Sequence, residues 1–250
     1  RIWQWVWKQS KLIEESDIIH CHDIFFWYLP FRFLYNQKPV YTTFHGYETV
    51  FPPSKRAILI RKLSEKLSWG TICVGDYIRE WYGTKPNFVT YGGVKIPPMP
   101  HISSTGKKIR IIFVGRLEED SGINTYLKTL SILRKEHIDF AFEAFGDGRF
   151  RRKVGEWGRA YGFIDDLSAK LTTADFVFAS SYLSILEAIA AKKLIFAAYE
   201  NSLKKDYLLM SPFAKCIIIS KNPKEIAQNL LYFRKHRDEQ EDLVDEGYDW

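Results

Sequence analysis

The run Phe113-Val114-Gly115-Arg116-Leu117 sets an apolar strand against a glycine and then a permanent cation. At the carboxyl edge of a parallel sheet, that order suits an anionic ligand. Glycine lets the backbone turn close to it, and arginine offers phosphate a planar fork of donors. The same residues also describe a solvated arginine in an ordinary strand-to-helix turn. A second run, from Ala179-Ser180-Ser181 through Tyr182-Leu183-Ser184 to Glu187-Ala188, leads from a strand through small hydroxyl residues into a helix. Free amides at such a helix start attract anions. Glu187 has two readings. Ser184 and Glu187 have the S-x-x-E spacing of a capping box, and a carboxylate there can equally accept hydrogen bonds from ribose hydroxyls. Phe145-Gly146-Asp147-Gly148 puts a G-x-G after a strand, which without context is a plain turn.

In the first half, His20-Cys21-His22-Asp23 and His45 raise the question of a metal. The period of a strand places His20 and His22 on one face. Histidines at strand ends are more commonly packed or hydrogen-bonded than metal-bound, so no metal site is expected. HExxH, GxxxxGK[ST] and GxSxG are absent, which removes the mechanics of zinc proteases, P-loop kinases and α/β-hydrolases.

The elements that must carry these residues alternate between strand and helix. Strands are expected at 16–22, 39–44, 71–74 and 88–91, with an amphipathic helix at 54–69 that puts Ile58, Leu63 and Leu67 on one face. The segment 95–105, rich in Pro and Ser, reads as a linker. A second series follows, with strands at 109–114, 140–145, 176–179, 194–197 and 217–220. Helices are expected from Ile123, near Arg152, from Tyr182 and, last, from Pro223. Two such series predict two Rossmann-like parallel-sheet domains facing a cleft, 1–101 and 102–250. The amino-terminal helix carrying Trp3, Trp5 and Trp7 is expected to be a covered helix of the first domain, a membrane-dipping face being the other reading.

With 250 residues, 46% apolar and 26% charged, the chain has the balance of a folded protein. Its net charge of +6 favours anionic partners, but no basic block interleaved with aromatics and no recognition module points to nucleic acid. Three distant cysteines with no CxxC suit a reduced, cytoplasmic setting. No apolar run is long enough to span a bilayer.

Together these segments resemble the retaining GT-B glycosyltransferases often called glycosyltransferase group 1, over nearly the whole chain. IRIIFVGRLEEDSGINTYLKTL looks like the family's strand–GRL–helix start, FEAFGDGRF like its GDG turn, and ADFVFASSYLSILEAIAAKKLIFAAY like its strand–loop–LEA helix–strand. DIIHCHD and PVYTTFHGYE look like acceptor-domain strands, and YGGV stands where the family has a short NGV-like turn. The family's opening strand and Gly-rich loop are not matched, so an incomplete amino-terminal domain is expected, with a closing carboxyl-terminal helix also cut.

The resemblance implies an α/β, GT-B-like protein that moves a sugar from a nucleotide-diphosphate donor to a glycan or lipid-linked acceptor, with retention and without a metal or other cofactor. Arg116 would bind the donor diphosphate and His45 would reach the donor sugar, as the catalytic pair. Gly115, Gly146, Phe163, Leu183, Ser184 and Glu187 would bind the donor, with Gly162 and Ile164 beside Phe163 near the base. The chain departs from the family at two positions: Ser121 replaces a lysine and Ala179 a glutamate, with Lys204 and Lys205 as candidate substitutes. A non-catalytic sugar-nucleotide binder and a sugar-nucleotide epimerase are the alternatives. A cytoplasmic, membrane-peripheral role in cell-envelope synthesis is the expected setting.

Overall fold

A computed structural model describes residues 1–47, 51–96 and 108–250. The chain divides into two units, Arg1–Tyr91 and Gly92–Trp250. The sequence-expected boundary at 101/102, and most of the expected linker, lie outside the described residues.

The first unit contains helices α1 (Ile2–Lys8) and α2 (Ser10–Glu15), then β1 (Ile19–His22), α3 (Phe25–Leu34), β2 (Val40–Phe44), α4 (Lys55–Leu67), β3 (Gly70–Val74), α5 (Tyr77–Tyr82) and β4 (Phe88–Thr90). Its four strands lie in sequence order, every pair parallel. Parallel neighbours need a crossover, and a helix supplies each one. Cys21, Phe25, Tyr28, Phe31 and Val40 form a core between α3 and the sheet. Trp3 and Trp7 of α1 pack against Trp27 and Phe31 of α3, at ring-centroid distances of 5.2 and 5.6 Å. All three tryptophans of α1 are nevertheless exposed, Trp5 by 65%.

Helix α4 departs from the expected apolar face. Leu63 is 41% exposed, whereas Arg61 and Ser64 are buried. Arg61 turns inward because its charge is answered there. It donates to the Gly46 carbonyl and lies 3.9 Å from the centre of the Tyr82 ring. A periodicity count of apolar residues has no means of seeing a buried guanidinium.

The second unit contains β5 (Ile109–Val114), α6 (Ile123–Lys135), β6 (Phe140–Phe145), α7 (Arg151–Gly155), β7 (Arg159–Gly162), α8 (Ser168–Leu171), β8 (Phe176–Phe178) and α9 (Tyr182–Ala190). Then follow β9 (Leu194–Ala198), α10 (Ser202–Leu209), β10 (Ile218–Ser220), α11 (Pro223–Lys235) and α12 (Arg237–Asp249). The all-parallel sheet has the order β10-β9-β8-β5-β6-β7. From β5 the chain winds outward through β6 to β7, then returns to β8 on the other side of β5. The reversal puts a topological switch point between β5 and β8, where open α/β sheets bind ligands. The central strands β8 and β9 are buried throughout, as a sheet covered by helices on both faces requires.

Tyr126 of α6 fastens this switch point from behind. It is fully buried and stacks on Phe178 at 4.6 Å. Its hydroxyl donates to the Phe196 carbonyl at 3.0 Å, accepts from the Ala198 N–H at 2.7 Å and lies 2.6 Å from Ser180 Oγ. One phenol therefore ties α6 to the ends of β8 and β9. Tyr126→Phe keeps the ring and removes the oxygen. It is expected to cost about 2 kcal/mol, the penalty for leaving buried polar groups short of a partner, read as a lower denaturation midpoint with unchanged m-value.

Candidate functional site

Strand β5 ends at Val114, and the next two residues, Gly115 and Arg116, leave the sheet at its carboxyl edge. Here the G-x-G proves to be more than a turn. Gly146 adopts φ 137°, and a Cβ at that position would sit 1.9 Å from the Gly115 carbonyl oxygen. Only glycine allows the two backbones to lie so close. The contact is continued by hydrogen bonds from Gly115 N–H to the Phe145 carbonyl at 3.1 Å and from Gly146 N–H to the Gly162 carbonyl at 2.8 Å. The ends of β5, β6 and β7 are thereby stitched into a wall with little side chain on it.

On the other side of the switch point β8 runs into Ala179, Ser180 and Ser181, and α9 begins at Tyr182. Ser181 is the residue that precedes the helix, and Ser184 is the third residue within it. The capping box expected of Ser184 and Glu187 is therefore not formed: Glu187 lies a full turn too deep. Ser181 Oγ and Ser184 Oγ lie 2.9 Å apart instead. The Glu187 carboxylate makes no hydrogen bond among the described residues, and burial raises its pKa above the usual carboxylate range. Leu183, Ser184 and Glu187 share one helix face through their spacing.

These pieces line one cavity of about 880 Å³ within the second unit. Gly115, Arg116, Gly146, Phe163, Leu183, Ser184 and Glu187, all singled out in the sequence, are among its lining residues, as are Gly162 and Ile164. Phe163 is 80% exposed and Leu183 56%, so both present apolar surface to whatever fills the space. Arg116 is held by Asp120, Nη2 to Oδ2 at 2.6 Å, with its side chain still 65% exposed. Ser121 is occupied locally, its hydroxyl donating to the Glu118 carbonyl at 2.6 Å. Ala179 is fully buried.

Three groups of lining residues had not been assigned to a site from the sequence. Gly93, Val94, Lys95 and Ile96 border the cavity, as do Asp165, Asp166 and Leu167, and the cap residue Ser181. The YGGV run carried a usable signal. Gly92 adopts φ 92°, and a Cβ there would meet Leu183 Cδ2 at 2.8 Å, so paired glycines after a strand marked a close approach. The 165–167 loop offered no such mark.

His45 belongs to the first unit, exposed just beyond β2. Its N–H donates to Asp23, at 3.2 and 3.1 Å from the two carboxylate oxygens. Its Nε2 lies 2.6 Å from His22 Nδ1, and the two rings stack at 5.0 Å. His20 shares the face with His22, ring centres 4.2 Å apart, and meets Thr43 Oγ1 at 2.8 Å. Burial, and then the neighbouring His22 and His45, lower the pKa of His20. Among the described residues no three His, Cys, Asp or Glu side chains are grouped to hold a metal. Cys21, Cys73 and Cys216 are free and buried. No helix among the described residues is long and apolar enough to cross a membrane.

The fold has clear relatives. TarM aligns with a TM-score of 0.76 at 17% identity over 98% of this chain and 53% of its own. A point mutant of S. aureus TarM, solved with fondaparinux, alpha-GlcNAc-glycerol and UDP, aligns at 0.69 and 16% over 89% and 49%. The lipopolysaccharide outer core galactosyltransferase WaaB gives 0.60 and 14% over 98% and 74%. A Listeria monocytogenes protein described as a UDP-N-acetylglucosamine 2-epimerase gives 0.62 and 14% over 98% and 72%. The two parallel α/β sheets are those of the GT-B glycosyltransferase fold. The chain spans about half the length of TarM. No family model matches the sequence, and no curated protein matches it in a sequence search.

Gly146→Ala tests the construction of the wall. With a backbone oxygen in the way and a left-handed φ, it is expected to cost on the order of 3 kcal/mol in denaturant unfolding. A change below about 0.5 kcal/mol, the range of ordinary surface substitutions, would show that the wall tolerates a side chain.

Proposed function

We propose that the chain is part of a glycosyltransferase that moves a sugar from a nucleotide-diphosphate donor to a glycan or lipid-linked acceptor, with retention and without a metal. One observation carries the reading: Gly115-Arg116 and Ser184-Glu187, distant in sequence, line a single cavity at the switch point of the second sheet. In this reading the Arg116 guanidinium faces the phosphates, and Glu187 accepts hydrogen bonds from the ribose. The half-buried carboxylate suits that task, because ribose hydroxyls bring the donors it lacks. Phe163, beside Ile164, gives the base a flat apolar partner.

The chemistry follows from where charge develops. The bond between the anomeric carbon and the phosphate oxygen breaks, and the leaving diphosphate takes its electron pair. The acceptor hydroxyl forms the new bond from the same face and passes its proton to a phosphate oxygen of the leaving diphosphate. Arg116 and the amides at the start of α9 answer the new charge on the diphosphate, a role often worth roughly 10²–10³ in rate per donor. His45 contacts the donor sugar. The likeness to WaaB, a lipopolysaccharide outer core galactosyltransferase, supports a setting in cell-envelope synthesis, and the reading places that work in the cytoplasm at the membrane periphery.

A sugar-nucleotide epimerase is the second reading, favoured by the Listeria relative. Product analysis with and without acceptor separates the two. A non-catalytic binder is favoured by Ser121 and Ala179, and binding without turnover marks it.

Arg116→Ala and Glu187→Ala are expected to weaken UDP binding about tenfold or more, a loss of one charge-assisted contact, with little change in melting temperature. Unchanged affinity in both variants would remove the donor site from this cavity. His45→Ala is expected to lower turnover while leaving UDP affinity within about twofold, since UDP carries no sugar; a matching fall in UDP affinity would refute the sugar contact.

A further inference from the structure

The end of β1 holds the end of β2 at two points. His22 ends the first strand and Asp23 follows it; His45 follows the second. The strands pair in parallel with His22 opposite Thr43, and the Asp23 N–H donates to the Thr43 carbonyl at 2.9 Å. That register sets His45 beside the His22-Asp23 pair. The Asp23 carboxylate accepts the His45 N–H, which fixes the backbone. The His22 ring takes the side chain, its Nδ1 lying 2.6 Å from His45 Nε2. His22 is in turn backed by His20, ring centres 4.2 Å apart, and His20 is tied to Thr43 Oγ1 at 2.8 Å. An exposed histidine at a strand end is ordinarily free to turn. His45 is exposed, yet it is held by backbone and ring alike.

Two ring nitrogens 2.6 Å apart share one hydrogen. Two lone pairs, or two N–H groups, would repel at that distance. A neutral imidazole has one nitrogen of each kind, so this bond fixes the tautomer of both rings at once. With His45 Nε2–H as the donor, His22 accepts at Nδ1 and carries its own proton on Nε2. Both rings then have the Nε2–H form, the one that neutral histidine favours in water. The reverse direction demands the less favoured Nδ1–H form of both. The first arrangement therefore wins, and it leaves His45 Nδ1 without a proton. Among the described residues that nitrogen makes no hydrogen bond.

We propose that His22 is a positioning residue for His45. It accepts the His45 Nε2 proton, holds the ring, and keeps Nδ1 bare as the acceptor for a hydroxyl of the donor sugar. The proposal rests on the sugar contact assigned to His45 above and adds the residue that gives that contact its direction. Asp23 serves the same end through the backbone.

The test has a spectroscopic arm and a kinetic arm, both on this chain. Long-range proton–nitrogen correlation spectra at pH 8, above the ordinary imidazole range, should show His45 protonated at Nε2 and bare at Nδ1. His22→Ala should leave His45 a mixture of both tautomers. Asparagine puts its side-chain oxygen close to where Nδ1 of histidine stood, so His22→Asn should restore the single form. His22→Gln, one carbon longer, should not. The kinetic arm follows hydrolysis of UDP-glucose, UDP-galactose and UDP-N-acetylglucosamine. His22→Ala should be about tenfold slower, the worth of one hydrogen bond, with UDP affinity within about twofold. His22→Asn should recover most of that loss. Adding His22→Ala to His45→Ala should cost little more than His45→Ala alone, because the one residue acts through the other.

A His45 tautomer unmoved by His22→Ala overturns the proposal, as does a wild-type His45 with its proton on Nδ1. Full additivity in the double variant also overturns it. A wild type that hydrolyses none of the three sugar nucleotides, with His45 in the expected tautomer, sinks the donor-sugar reading and leaves the hold of His22 on His45 standing.

Discussion

The close passage of Gly146 over the Gly115 carbonyl governs the larger unit. Two strand ends meet there with no side chain between them, and Gly162 closes the row. The gain is a wall of backbone at the carboxyl edge of β5, β6 and β7. Phe163 and Arg116, which follow Gly162 and Gly115 directly in the chain, both line the cavity beside it.

Polar groups taken out of water in this unit fall into two kinds. Tyr126 is satisfied by partners on two strand ends, and its burial strengthens the fold. Glu187 is half-buried, and its carboxylate has no hydrogen-bond partner among the described residues. A core built for stability alone would place an apolar group there.

Much of this arrangement was legible in the sequence. β5, β6, β8 and β9 carry dense apolar runs, so their positions and their parallel pairing followed from pattern alone. The two motif-bearing turns were visible because they sit at the ends of such runs. The four-residue β7 carries Arg159 and Tyr161 among small residues and has no apolar run to betray it. The final helix divides at His236 into α11 and α12, where no proline or glycine marks a break. The buried row of α4 hid behind polar residue types. Glu187 had two uses under one spacing, and the helix start at Tyr182 removes the capping one.

The paired tyrosines at the start of α9 and in the last turn of α10 have a mechanical consequence. Tyr182 donates its hydroxyl to the Tyr207 carbonyl at 2.6 Å and its N–H to the Tyr207 hydroxyl, with the rings stacked between. Each residue grips the other at both backbone and ring, so neither helix can slide along its axis without dragging its neighbour. The first turn of α9, which borders the cavity, is therefore pinned at Tyr182, and fraying of that helix end would have to break two hydrogen bonds and a ring stack at once.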